Sequence, residues 1–458
     1  MDWLSRIAAW LSEHEAAISA VAAIIVIAGV VFAGFRWLVR RRAEPSIKTA
    51  PEEDPLLALP TGPVVAVLPF ENLSEDPKQE YFSDGLTDDI ITALSRFRDL
   101  FVIARNSTFR YKGQAVDVRQ LKKELGARYV LEGSVQRAGD KLRVTAQLLD
   151  AKDGTHLWAE TFDRELSAAN VFAVQDEITE QVVATIAGLS GVISQARFAE
   201  LRGKQTDHLG AYESVLQFDA YYRANLSAPE HARVRDGLER AVKSDPDYSD
   251  AWAVLSFIYV DEHRLNYNPR PNSLDRALDA ARRAVVLDPA SQWAHQALAV
   301  VYFYRHELEA FSPEAERAIA LNPNNAFTLA MLGQELHYAG DERGISFVRK
   351  AVKIDPFHPP WYYFTISAYH FDRGEYEEAL AAARKLDIPE FYWPQIFLAG
   401  IYAELERLSE ARSAVEELRR LYPGFDTEKL VEESRKWNRT DDAIRHWAAA
   451  LRKAWLPE

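Results

Sequence analysis

Three aspartates within six residues, Asp84, Asp88 and Asp89, are the densest group of side chains in this chain that could do chemistry. Carboxylates at such spacing can bind a divalent cation or pass a proton. Their setting points elsewhere. Asp84-Gly85-Leu86-Thr87 reads as the opening of a helix, and the backbone dipole draws acidic residues to helix N-termini without any catalytic need. Glu71 and Asn72 follow an apolar strand, where α/β sheets often hold ligands; shaping the turn is the simpler role. The eleven histidines are scattered, and no His-Glu-x-x-His pair, phosphate-cradling Gly-x-x-x-x-Gly-Lys-Ser/Thr loop or Gly-x-Ser-x-Gly elbow occurs. The chain has no cysteine, which excludes disulfides, thiolate metal sites and thiol catalysis. A net charge of −14 with no basic stripe argues against nucleic acid as a ligand. The expectation is a protein that is not an enzyme and holds no cofactor or metal.

The elements around these residues change character along the chain. Val64–Phe70 is apolar and β-branched, too short for a helix and suited to a buried strand. Leu86, Ile90, Leu94 and Phe97 then recur at helical spacing, and Leu100–Ala104 forms a second strand. Asp117 and Gly126 bracket a short helix as its caps. Tyr129–Gln136, Leu142–Leu149 and His156–Phe162 are strands joined by turns at Ala138-Gly139-Asp140 and Lys152-Asp153-Gly154. Leu142, Val144, Ala146 and Leu148 alternate with Arg143, Thr145 and Gln147, which predicts one buried face and one wet face. Asn170 opens a helix carrying Val171, Val174, Ile178, Val182 and Ile186.

The C-terminal half follows a single register. Prolines at 246, 289, 323, 356, 389 and 423 stand 43, 34, 33, 33 and 34 residues apart. Proline cannot continue a helix, so each one ends a unit of about 34 residues. The long first step is accounted for by an insertion at Asn266–Asn272. Inside the register, Trp252, Leu255, Ser256 and Tyr259 lie on one first helix. Leu298, Ala299 and Tyr302, then Leu329, Leu332, Gly333 and Leu336, then Leu398, Ala399 and Tyr402 repeat the pattern. RAVVLDP, RAIALNP and KAVKIDP close the second helices.

Spacing and residue type together resemble the tetratricopeptide repeat family over 208–423, about six repeats. The run Ala66–Gly113 with Tyr129–Leu166 resembles the TolB amino-terminal-like domain over 63–190. The family resemblance implies a multi-domain fold with an α/β domain followed by an all-α solenoid, joined by a connector at 191–207 and closed by capping helices at 424–458. In repeat relatives the first helix of each unit lines a concave groove that holds a peptide. Carried over by register, the groove positions are Trp293, Gln296, Phe303, Tyr304, Phe327, Gln334, His337, Tyr338, Tyr363, His370, Phe371 and Trp393. None is Lys or Arg, so the clamp that holds acidic C-termini in some relatives is missing, and apolar or proline-rich segments fit better. Relatives carrying the TolB-like domain are often fused to adenylate cyclase or winged-helix domains, which implies a bacterial signalling or envelope role.

The N-terminal region carries a different expectation. Trp3, Leu4, Ile7, Trp10 and Leu11 share a helical face across 1–15, suited to a membrane interface. Residues 16–38 then read as a transmembrane helix, with Ala16–Phe35 free of charge and Arg36, Arg40, Arg41 and Arg42 just beyond. The charge bias places the C-terminal side in the cytoplasm, and a proline-rich linker at 39–62 follows. The whole reading is a scaffold anchored by one helix in a bacterial inner membrane, binding a protein partner through its repeats. The alternatives are a regulatory component of adenylate cyclase-type nucleotide signalling and a periplasm-facing envelope protein.

Overall fold

The computed structural model describes residues 62–454, except 75, 77, 78, 168, 189, 202–209, 225 and 389, together with Trp3, Arg6, Ile7 and Trp10. The chain divides into two compact units, Met1–Leu59 and Pro60–Glu458. In the first, the four described residues are helical and exposed.

The second unit begins with a mixed sheet. Its strands are β1 (Val64–Val67), β2 (Glu71–Asn72), β3 (Phe101–Val102), β4 (Tyr129–Ala138), β5 (Lys141–Asp150) and β6 (Thr155–Glu165). Their order is β3-β1-β4-β5-β6, with β2 also on β4. β1 runs parallel to β3 and β4, while β4, β5 and β6 form an antiparallel meander. Leu142, Val144, Ala146 and Leu148 are buried, and the alternation in β5 decides which face packs. Helices α1 (Glu80–Leu94) and α4 (Val171–Ile186) cover that face with Leu86, Ile90, Ile178 and Val182. The short α2 (Arg105–Phe109) and α3 (Val118–Leu125) lie between. Asp117 caps α3 by accepting from the Arg119 N–H, and Gly126 ends it in the left-handed region. Helix α1 starts one turn earlier than the sequence predicts, so Asp84 sits in its second turn and the N-terminal dipole does not account for it.

Helix α5 (Val192–Leu201) leads into stacked helical hairpins. These pair α6 (Ala211–Ala224) with α7 (Ala228–Ser244), α8 (Ser249–Arg264) with α9 (Ser273–Leu287), and α10 (Gln292–Tyr304) with α11 (Leu308–Leu321). Then come α12 (Ala326–Tyr338) with α13 (Arg343–Ile354), α14 (Tyr363–Asp372) with α15 (Tyr376–Ala383), and α16 (Trp393–Glu404) with α17 (Leu408–Leu421). The last pair is α18 (Thr427–Lys436) and α19 (Asp441–Lys453). The prolines stop the second helices through the residue before them. Asp245, Asp288, Asn322, Asp355 and Tyr422 all leave the helical region, with φ between −147° and −110° and ψ between 80° and 98°. A following proline ring excludes helical ψ at that position. The insertion forms a longer turn between α8 and α9, where Asn266, Asn268 and Asn272 take positive φ, a conformation asparagine tolerates well. Its anchor is ionic: buried Glu262 pairs with Arg235 and Arg276 and accepts from the Arg270 N–H.

The expected fold class needs one correction. Among the described residues, no helix is long and apolar enough to cross a membrane. A span needs about 20 apolar residues, whereas the long helix α7 has 17 and carries Glu, Arg, Asp and Lys along its length. The segment expected to span, 16–38, lies outside the described residues, as does nearly all of the linker at 39–62. The described residues thus supply no transmembrane helix to the expected fold class and no ground for the single-pass inner-membrane localisation drawn from it. What remains is a helical repeat body with a small sheet domain.

Candidate functional site

The aspartates that opened the sequence reading are dispersed by the fold. Asp84 pairs with Lys112 at 2.5 Å, Asp88 with Arg105 at 2.9 Å, and Asp89 accepts a hydrogen bond from Gln175. Each carboxylate faces its own partner rather than a shared centre. Asn72 Oδ1 accepts from the Ser74 N–H at 2.9 Å, which is turn-shaping work, and Glu71 is exposed.

The repeats bring far more together. Aromatic rings on the first helices, and on the turn just before α14, meet across the interior: Phe327 lies 5.6 Å from Trp293, 5.5 Å from Tyr222 and 5.8 Å from Trp361. Helix α6 of the first hairpin thus touches α12 of the fourth, so the stack curls back on itself. A cavity of about 60 Å³ remains at the centre. Tyr222, Leu226 and Leu265 line it from the early repeats, Met331, Gln334 and Tyr338 from α12, and Phe391, Trp393 and Phe397 from the sixth.

The turn between α18 and α19 packs against this interior and lines part of it. Trp437 packs against Tyr304 at 5.5 Å and Tyr338 at 6.2 Å. Asn438, in the left-handed region at φ 51°, donates to the Phe303 carbonyl at 2.7 Å, and its Oδ1 lies 2.5 Å from His306 Nδ1. Arg439 holds Asp372 at 2.9 Å. Behind the wall lies a buried polar knot, where Asp261 accepts from Tyr221, Tyr222 and Arg264. Burial drives the Tyr221 and Tyr222 hydroxyls far above their ordinary pKa, so they stay protonated and donate to Asp261. Glu335 on α12 is fully buried, and burial raises its carboxyl to about 8 with only the charge of Arg264 opposing the shift.

The twelve positions carried over by register divide into three groups. Gln334, Tyr338 and Trp393 line the cavity. Gln296, Phe303, Tyr304, Phe327 and Phe371 are buried in contacts between repeats. Gln296, for example, accepts from the Thr328 hydroxyl at 2.7 Å, and Phe371 stacks on Trp447 at 3.8 Å. Trp293, His337, Tyr363 and His370 keep partial exposure. His370 Nδ1 is 2.6 Å from Glu375, and Tyr363 accepts from Lys385 at 3.5 Å. Burial, then the nearby charge of Arg439, lowers the His337 pKa, which favours a neutral ring. The register did not reach Trp437 and Arg439, because they belong to the capping pair. A tryptophan in a polar turn between two helices was the available signal.

Comparison with known proteins adds three observations. Residues 61–181 match the family model described as HilA/YgeH-like transcriptional regulator, second domain. A protein of Rhizobium meliloti (strain 1021) described as putative adenylate cyclase 3 is 40% identical over 288 residues, which is 62% of this chain and 46% of that protein. The chain thus spans less than half the length of this curated relative. Similar solved structures include PilF of Pseudomonas aeruginosa, 16% identical over 49% of this chain and 97% of the other, with a TM-score of 0.35. Another is YrrB, titled a TPR protein with an unusual peptide-binding site, 17% identical over 41% of this chain and 93% of the other, with a TM-score of 0.28.

Proposed function

We propose that this chain is a non-enzymatic scaffold that holds a protein partner on the first helices of its tetratricopeptide-type repeats. Its sheet domain, of the TolB amino-terminal-like kind, serves as a docking or spacing unit. The observation that carries the reading is the run of helical hairpins in one register, whose first helices present an aromatic wall. Along that wall Trp293, His337, Tyr363 and His370 retain exposure, so a partner can touch them without unfolding the stack. Interface anchors are typically such large, partly shielded rings. The test is capture of a partner by the immobilised full chain from an extract of its own cells. His337→Ala with Tyr363→Ala lowers capture by tenfold or more while the thermal melt is retained. Undiminished capture by the folded double variant removes the wall as the binding surface.

A second reading has one observation in its favour, the 40% identity to a protein described as a putative adenylate cyclase. It makes this chain an accessory or regulatory part of nucleotide signalling. The captured partner then is a nucleotide cyclase whose turnover changes when the chain is bound. A partner of any other kind, or a cyclase with unaltered turnover, removes this reading.

A further inference from the structure

The central cavity has a chemical bias that a passive packing gap would not have. Its lining is apolar and aromatic apart from Gln334, and among the described residues its only charged groups are Arg264 and Arg439. No carboxylate among the described residues lines it. Each guanidinium is held from behind, Arg264 by Asp261 at 2.5 Å and Arg439 by Asp372, so both are positioned before any ligand arrives. An arginine carries five N–H donors, and the Asp372 contact engages only Nη2 of Arg439. Further lining residues, Trp361 and Trp437 among them, have buried indole N–H groups for which no group among the described residues acts as acceptor. An indole N–H donates and cannot accept, and leaving such a donor buried and unpaired is unfavourable. Donors and positive charge thus belong to residues that line one space walled by rings.

We propose that this cavity binds a small organic acid, a carboxylate on a short apolar body. The guanidinium groups and indole N–H donors take the carboxylate, and the rings take the hydrocarbon. Size limits the ligand: one water needs roughly 10–15 Å³ by this kind of measure, so about 60 Å³ holds a body of only a few non-hydrogen atoms. A cation is disfavoured by the two arginines. The proposal does not depend on the partner-binding reading, because a ligand inside the stack leaves the exposed wall free.

The experiment uses the full chain with indole nitrogens labelled and propionate, propionamide and propylamine as probes of matched size. Propionate gives saturable downfield shifts of the Trp361 and Trp437 indole resonances, assigned through Trp361→Phe and Trp437→Phe. Propionamide binds at least tenfold more weakly, and propylamine leaves both signals in place. Trp437→Phe, which keeps a ring and removes the N–H, weakens propionate binding about fivefold or more. If that variant fails to fold, the wild-type titration decides alone. Absence of a saturable propionate response, equal responses to acid and amine, or tighter binding of the amide overturns the proposal. So does capture of an apolar peptide C-terminus at the same indoles in place of free propionate.

Discussion

At the scale of single residues, burial decides more than identity does. Gln296 and Phe303 sit at positions that the repeat register assigns to a groove, yet both are buried, and Gln296 spends its amide on hydrogen bonds to the next repeat. The register specifies which face of a helix a residue occupies. It does not specify whether that face meets solvent, because this depends on the curvature of the whole stack. Glu335 shows the energetic side. Its carboxyl is raised to about 8, above the usual carboxylate range near 4.5, by burial. A group whose folded pKa is raised binds its proton more tightly in the native state. Its contribution is therefore full below about pH 4.5 and is lost as pH climbs towards 8. At roughly 1.4 kcal/mol per pKa unit, the swing amounts to several kcal/mol. Thermal melts from pH 5 to pH 9 thus show stability falling across this window, and Glu335→Gln flattens the fall. An equally steep fall in the variant assigns the pH dependence to other groups.

At the scale of elements, much was legible. The proline stops predict where second helices end because the steric exclusion before proline is local, and Asp288, Asn322 and Asp355 adopt the backbone that exclusion demands. The alternation in β5 predicts its buried face for the same reason, that period two is a property of the strand itself. The start of α1 was less legible. Its first turn, Glu80 to Ser83, is mostly polar or exposed, and its N-cap makes no side-chain hydrogen bond to mark the boundary. Close packing between helices is legible where glycine supplies it. A Cβ on Gly333 would stand 2.8 Å from the Gly344 carbonyl oxygen, so α12 and α13 touch through bare backbone. Overpacking at such a contact typically costs 1–3 kcal/mol. Gly333→Ala therefore lowers the unfolding free energy by about that amount, read as a lower denaturant midpoint at an unchanged slope. A variant as stable as the parent shows that the two helices can part at no cost.

At the scale of the whole second unit, contacts distant in sequence set the shape, and these were the least legible. Helix α4 of the sheet domain rests on the fourth repeat, with Ala184 packed against Ala326 and Ala351 and Glu180 paired to Lys350 at 2.7 Å. The capping turn at 437–439 reaches back more than 130 residues to Phe303 and His306. No periodicity encodes such a return. It follows from a superhelix tight enough for its first and sixth repeats to face one cavity. A partner is expected on the partly exposed wall of the first helices, at Trp293, His337, Tyr363 and His370, outside the central cavity. The direct measurement places a photo-cross-linking residue at Tyr363 in one preparation and at Phe172, 75% exposed on the sheet domain, in another. Irradiation with the captured partner joins it to position 363 and leaves position 172 free. Cross-links confined to position 172 would contradict the account.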